Sequence, residues 1–216
     1  MKIRIVLIDD HHLFRKGLAA LFEQDESIEI VGEGSDGREA LDLSEKMEPD
    51  IMVMDISMPN LNGLEASRQI LKRYPGIKII ILSIHTEKVY VKTVLESGIS
   101  GFLLKDCAFD DLREAIDVVQ QGRIFLSPKI EGMMKKEHYY WNQLALPVLN
   151  ELSEREREVL QMLSEGKSVK EIAQSLFLSP KTIETHRKNI MDKLDMHTIP
   201  ELVKYAIREG LTDISK

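Results

Sequence analysis

Cysteine is nearly absent from this chain: among 216 residues there is one, Cys107. A lone thiol forms no internal disulfide. No Cys/Cys or Cys/His spacing offers a zinc site, so a reducing compartment suits the chain. Long apolar runs are missing too. The first, from Ile3, soon meets Asp9 and Asp10, which is too short for a signal peptide. No other run approaches membrane-spanning length. The expected location is the cytoplasm, with no membrane partner. An excess of positive charge is also lacking: the net charge is −7. It divides as −8 over residues 1–121, +2 over 122–150 and −1 over 151–216. The acidic first half suits a cation site and argues against nucleic acid there. Any nucleic-acid contact in the last third must rest on local placement of charge. What is present, 43% hydrophobic and 30% charged residues, is the make-up of an ordinary globular protein of one or two domains.

The first half alternates apolar runs with amphipathic stretches. The runs are Ile3–Ile8, Ile28–Val31, Asp50–Met54, Ile77–Leu82 and Gly101–Leu104. Helical patterns cover roughly Leu13–Phe22, Gly37–Met47, Gly63–Arg73, Glu87–Ser97 and Phe109–Gln120. This alternation predicts an α/β doubly wound, five-stranded parallel sheet of flavodoxin-like order 2-1-3-4-5. Such sheets bind ligands beyond the carboxyl ends of their strands. Asp9 and Asp10 follow the first strand, Asp55 the third, Ser83 the fourth and Lys105 the fifth. Each alone reads equally well as a cap or a surface residue. Together they bring three carboxylates, a hydroxyl and an ammonium to one edge. Clustered carboxylates repel one another unless a cation sits among them, most simply Mg²⁺. A carboxylate beside a divalent ion and a lysine can attack a phosphoryl group. His11, His12 and His85 read as surface or packing residues, since an oxygen-rich site needs no imidazole.

Residues 122–150 follow neither pattern. Ser127-Pro128 starts a short helix near 128–136, and Tyr139, Tyr140 and Trp141 cluster beyond it. From Leu152 the pattern is helical throughout. Ser153/Glu156, Ser168/Glu171 and Thr198/Glu201 form capping boxes, and Ser179-Pro180 opens a further helix. Four short helices make a small bundle. The tight link near Phe177–Leu178 suits a helix-turn-helix. In the third helix Ile183, Ile190 and Leu194 form the buried stripe, and Lys181, Thr185 and Lys188 project opposite. From charge alone, a solvated face and a DNA-reading face fit equally.

Residues 1–121 resemble the receiver domain of bacterial two-component response regulators. The carrying motifs are Asp9-Asp10, Met54-Asp55-Ile56-Ser57-Met58-Pro59, Ser83 and Gly101-Phe102-Leu103-Leu104-Lys105. The resemblance implies that Asp55 accepts a phosphoryl group from a phosphohistidine of a sensor histidine kinase. It implies Mg²⁺ held by Asp9, Asp10, Asp55 and the backbone carbonyl of Ser57, with Lys105 on the phosphate. Ser83 and Phe102 would be the switch pair. Asp106 departs from the pattern, since many receivers carry proline there.

The stretch Leu152-Ser153-Glu154-Arg155-Glu156-Arg157-Glu158-Val159-Leu160 resembles a LuxR-type helix-turn-helix. So do Lys170-Glu171-Ile172-Ala173 and the segment Ser179 to Arg187. Val169 stands where that pattern often has asparagine. The resemblance implies base contacts from Glu184, Thr185 and Lys188. It implies phosphate contacts from Lys170, Lys181, Thr182, Arg187 and Asn189. Together the two domains resemble the NarL/FixJ group, arranged as a receiver (1–121), a linker with a short helix (122–149) and a DNA-binding domain (150–216). The implied partners are a sensor kinase, double-stranded promoter DNA, RNA polymerase and, once phosphorylated, a second copy of the chain. Two alternatives stay open. One is a Mg²⁺-dependent phosphatase of the haloacid dehalogenase type, which Ser57 disfavours because that chemistry wants a second Asp there. The other is a degenerate receiver that never takes phosphate.

Overall fold

The computed structural model describes residues 2–84, 97–107, 109–136 and 152–212. It divides into two compact units, Met1–Gln143 and Leu144–Lys216.

In the first unit β1 (Ile3–Ile8), β2 (Ile28–Gly34), β3 (Ile51–Asp55), β4 (Lys78–Ser83), β5 (Gly101–Leu104) and β6 (Phe125–Leu126) form one sheet ordered β2-β1-β3-β4-β5-β6. Every pairing is parallel. Helices α1 (His12–Phe22), α2 (Gly37–Met47), α3 (Gly63–Arg73) and α4 (Phe109–Gln120) connect or cover the strands, and α5 (Pro128–Lys136) follows β6. The expected helix over Glu87–Ser97 falls almost wholly outside the described residues.

All five residues of β3 are buried. Their side chains alternate between two cores. Met52 and Met54 pack with Val6, Ile8, Ile79, Ile81 and Phe102 on the face covered by α2 and α3. Ile51 and Val53 pack with Ile5, Leu7, Ile80, Leu82 and Leu103 on the face covered by α1 and α4. That double burial is why the run is continuously apolar instead of alternating.

The sheet has six strands, not the five expected. Gly122, at φ +76°, ends α4, and the chain turns back along β5. The Phe125 and Ser127 N–H groups donate to the Ser100 and Phe102 carbonyls at 3.0 Å. Two residues are too few to leave a periodic signal. Ile130 of α5 is fully buried in the α2/α3-side core. The start of the segment read as a linker is therefore part of the first unit. Tyr139, Tyr140 and Trp141 lie outside the described residues.

The second unit holds α6 (Glu154–Ser164), α7 (Val169–Ser175), α8 (Pro180–Leu194) and α9 (Ile199–Arg208). Capping boxes at Ser153/Glu156, Ser168/Glu171 and Thr198/Glu201 are all formed, and Ser179 caps α8 ahead of Pro180. Its core gathers Val159, Leu160, Ile172, Ile183, Ile190 and Leu202, among others. The link between α7 and α8 is fixed at both ends. Leu178 N–H donates to the Ala173 carbonyl at 2.9 Å, and the Arg155 guanidinium donates to the Leu176 carbonyl at 2.8 Å. Phe177 lies between them at φ +54°, with its side chain 93% exposed. A left-handed conformation costs a side-chain-bearing residue about 1–2 kcal/mol, and glycine gives back about 0.5–1 kcal/mol of that in unfolded-chain entropy. F177G is therefore expected to stabilise this unit by about 0.5–1 kcal/mol. Urea unfolding of the two proteins checks the sign, and a lower midpoint for the variant would refute it. No helix among the described residues is long and apolar enough to cross a membrane.

Candidate functional site

Parallel register places the polar strand ends side by side. Ile8 pairs with Met54, Asp55 with Leu82, and Ser83 with Leu104. Asp9, Asp55 and Lys105 therefore emerge at one level of the sheet. The Lys105 ammonium lies 2.8 Å from Asp9 Oδ2 and 2.8 Å from Asp55 Oδ2. All three groups are buried, with side-chain exposures of 8% for Lys105, 6% for Asp9 and 3% for Asp55. The same ammonium sits 5.1 Å from the centre of the Phe14 ring on α1. Burial raises the Asp55 pKa above the ordinary carboxylate value. Lys105 and the Ser57 N–H oppose that rise, while Asp9 adds to it.

Asp10 is less buried, with 21% of its side chain exposed. His11 Nδ1 stands 3.0 Å from Asp10 Oδ1 and 3.3 Å from Asp9 Oδ1, and the His11 N–H donates to Asp9 Oδ1 at 2.8 Å. One ligand atom from each of Asp9, Asp10, His11 and Asp55 lies within 4.8 Å of the others. The His11 imidazole is 60% exposed, as expected of a surface residue, and borders the cluster. His12 is exposed on the surface, and His85 lies outside the described residues.

Ser83 is fully buried at the end of β4, and its carbonyl accepts from the Lys105 N–H at 2.8 Å. Phe102, on the neighbouring strand β5, is fully buried too. The Lys105–Asp106 peptide bond is trans, like every other among the described residues.

Two contributors escaped the sequence reading. Phe14 is one. The other is Arg15, which donates to the Asp9 backbone carbonyl and pairs with Glu33 at 3.2 Å, pinning the loop that carries the acids. Both lie one helical turn into α1, but nothing in their spacing distinguishes them from an ordinary amphipathic helix. Cys107 is half-buried, and burial with nearby Asp111 and Asp106 pushes its thiol up to about 11, so it is an inert packing residue.

In the second unit, Ile183 and Ile190 bury one side of α8. Lys193, near its C-terminus, pairs with buried Glu156 of α6 at 2.6 Å. Burial works against the Glu156 charge. The Lys193 bond and the Ser153 cap outweigh it and hold the carboxyl below its usual range. These contacts fix which side of α8 faces out. Lys181, Glu184, Thr185, Lys188 and Asn189 are exposed on it, as is Lys170 on α7. Two expected contacts are engaged within the helix. Thr182 Oγ1 lies 2.8 Å from the capping hydroxyl of Ser179, and Arg187 pairs with Glu184 at 2.6 Å.

The model of the response regulator receiver domain matches residues 5–117, and that of the bacterial regulatory proteins of the luxR family matches residues 150–206. The chain is a response regulator of the luxR family. Its relatives include the transcriptional regulatory protein DegU of Brevibacillus brevis, 38% identical over 97% of this chain and 94% of that protein. LiaR of Bacillus subtilis is also 38% identical, over 98% of this chain and all of that protein. Among solved structures, RcsB of Salmonella enterica serovar Typhimurium, bound to a promoter in the presence of the phosphomimetic BeF3-, superposes with a TM-score of 0.64. That protein is 27% identical, and the match covers 98% of this chain and all of RcsB. This response regulator therefore joins a receiver to a DNA-binding helix-turn-helix and regulates transcription. The doubly wound sheet and the helical second unit are those that the strand–helix alternation and the capping pattern predicted, with one strand more.

Proposed function

We propose that Asp55 accepts a phosphoryl group from a phosphohistidine on a sensor kinase, and that this controls binding of α8 to promoter DNA as a homodimer. The observation that supports it most is the Lys105 ammonium, 2.8 Å from both Asp9 and Asp55 at the carboxyl end of the central strand. In the transfer, an Asp55 carboxylate oxygen attacks phosphorus. The P–N bond breaks, and its electron pair returns to the donor imidazole, leaving an acyl phosphate on Asp55. Lys105 supplies fixed positive charge for the phosphoryl oxygens without reorganising at the moment of reaction. Ser83 donates its hydroxyl to the phosphorylated product, and Phe102 is its partner in the switch.

Three clustered carboxylates form the hard, oxygen-rich donor set that Mg²⁺ prefers. Asp9, Asp10, Asp55 and the Ser57 carbonyl would hold the ion, which neutralises phosphoryl charge when bound. Lys170, Lys181, Thr182, Arg187 and Asn189 are assigned to phosphate contacts, and Glu184, Thr185 and Lys188 to base edges. The protein acts in the cytoplasm, with RNA polymerase as a further partner, and has no turnover beyond slow loss of its own phosphoryl group.

A twofold-symmetric dimer reads an inverted repeat. Treating the full chain with a small phosphodonor or a beryllium fluoride mimic, with Mg²⁺, should raise its sedimenting mass. It should also tighten binding to an inverted repeat about tenfold, a typical coupling between sites. If Asp55 is fully occupied while mass and affinity stay unchanged, the proposed coupling does not exist.

A further inference from the structure

The outward strip of α8 carries information on which bases it reads. Lys181, Glu184, Thr185 and Lys188 are exposed while Ile183 and Ile190 are fully buried. At about 100° per residue the four fall within one narrow arc opposite the buried stripe. They line a single concave surface of about 560 Å³ together with Arg187.

Two hydrogen-bonding details decide what this strip offers. The Thr185 hydroxyl donates to the Lys181 carbonyl at 3.0 Å, one turn back. Its proton is spent inside the helix, so the exposed side chain offers a methyl and an oxygen able only to accept. Arg187 engages Glu184 Oε2 at 2.6 Å. That pair supplies a counter-charge, so the carboxylate tolerates the phosphates of a groove, and its second oxygen remains an acceptor.

Resting on the reading of α8 as the DNA-contacting helix, we infer that Glu184 selects cytosine, Thr185 selects thymine through its methyl, and Lys188 selects guanine. In the major groove cytosine presents the N4 donor, guanine the O6 and N7 acceptors, and thymine the C5 methyl. A carboxylate accepts from N4 and is repelled by O6, N7 and O4. An ammonium has the opposite preference. A threonine whose hydroxyl proton is committed cannot donate to a base; it keeps an acceptor oxygen and a methyl, and the methyl's match is the thymine C5 methyl. Glu184 and Lys188 are four residues apart, about 6 Å along the axis, or about two base-pair steps. The three bases therefore fall within about three consecutive pairs, with thymine's reader nearest that of cytosine. Asp192, exposed further along the helix, repels phosphate and keeps the reading end N-terminal.

Selection from random double-stranded DNA by the full-length, phosphodonor-treated chain tests this. The selected half-site should contain the three bases at that spacing. E184Q should change the preferred cytosine to adenine, because glutamine pairs with adenine N6 and N7, with discrimination of about tenfold at that position. Replacing thymine by deoxyuridine removes only the methyl and should weaken the wild-type complex about fourfold. T185V should keep that sensitivity and T185S should lose it. The assignments are overturned if E184Q selects the wild-type sequence, if deoxyuridine makes no difference, or if T185V no longer distinguishes it from thymine. Absence of any selected sequence from every protein would instead overturn the DNA-reading role of α8 itself.

Discussion

D55N is expected to do two opposite things: abolish phosphoryl labelling and stabilise the metal-free protein. The first follows from replacing the attacking carboxylate with an amide of the same size. The second follows from burial. Asp55 is almost fully enclosed, and desolvation raises its pKa despite Lys105. A carboxyl whose folded pKa lies above its unfolded value favours the folded state in its protonated form. That contribution is fully present below the unfolded pKa and is lost as pH rises through the folded one. At neutral pH the ionised group is therefore a burden. Removing it leaves Lys105 still paired with Asp9 at 2.8 Å. Because Asp9 still neutralises Lys105, no cation is left unpaired, and a modest gain in stability at neutral pH in a chelating buffer is expected. Mg²⁺ should then raise the melting temperature of the wild type more than that of D55N, because the variant has lost a ligand. Labelling with a small phosphodonor, followed by melts with chelator and with Mg²⁺, gives both readings. Labelling of D55N at the wild-type level would remove Asp55 as acceptor. A variant less stable than the wild type without metal would show that the buried carboxylate is not destabilising.

How much of this was legible beforehand depended on the range of the cause. Asp9, Asp10, Asp55, Ser83 and Lys105 could be grouped without coordinates because a parallel sheet sends all strand ends to one edge. The capping boxes of α6, α7 and α9 are local and read directly from three-residue spacings. The sixth strand was not legible, because two residues carry no period and their bonds go to distant Ser100 and Phe102. Phe14 was hidden for a related reason. Leu13, its neighbour, is 86% exposed while Phe14 turns toward Lys105, and only the packing of α1 on the sheet decides between them. His11 is exposed, as read from the sequence, but its position beside Asp9 and Asp10 follows from the β1–α1 loop and leaves no periodic signal. Glu184 and Arg187 were assigned separate roles, although their three-residue spacing already placed them within reach of each other.

Gly63 carries the other large effect, and its role is a matter of space. It is the first residue of α3, a position where the helix itself tolerates any side chain, and Asn62 caps that helix by accepting from the Glu65 N–H at 2.9 Å. By helix propensity alone, alanine should be no worse than glycine there. Packing reverses the sign. A Cβ on Gly63 would stand 1.9 Å from the Asp55 carbonyl oxygen, 2.9 Å from the Asp55 carbonyl carbon and 3.2 Å from Ile56 Cα. All three are backbone atoms, so no side chain can swing aside. The Gly63 N–H also donates to the Ile56 carbonyl at 2.9 Å, which ties the helix start to the end of β3. Either α3 or the strand carrying Asp55 must move. G63A is expected to cost at least about 3 kcal/mol, the upper end for overpacking a rigid site. It should also slow phosphoryl labelling, because the displaced segment bears the nucleophile. Gly17 supplies the control. It lies within α1, is exposed, and a Cβ there would meet nothing within 4 Å. G17A should therefore show the propensity effect alone, a stabilisation of about 1 kcal/mol. Denaturant melts of the two variants should move in opposite directions. If G63A unfolds at the wild-type midpoint and labels at the wild-type rate, the close approach of α3 to the Asp55 backbone does not constrain the site.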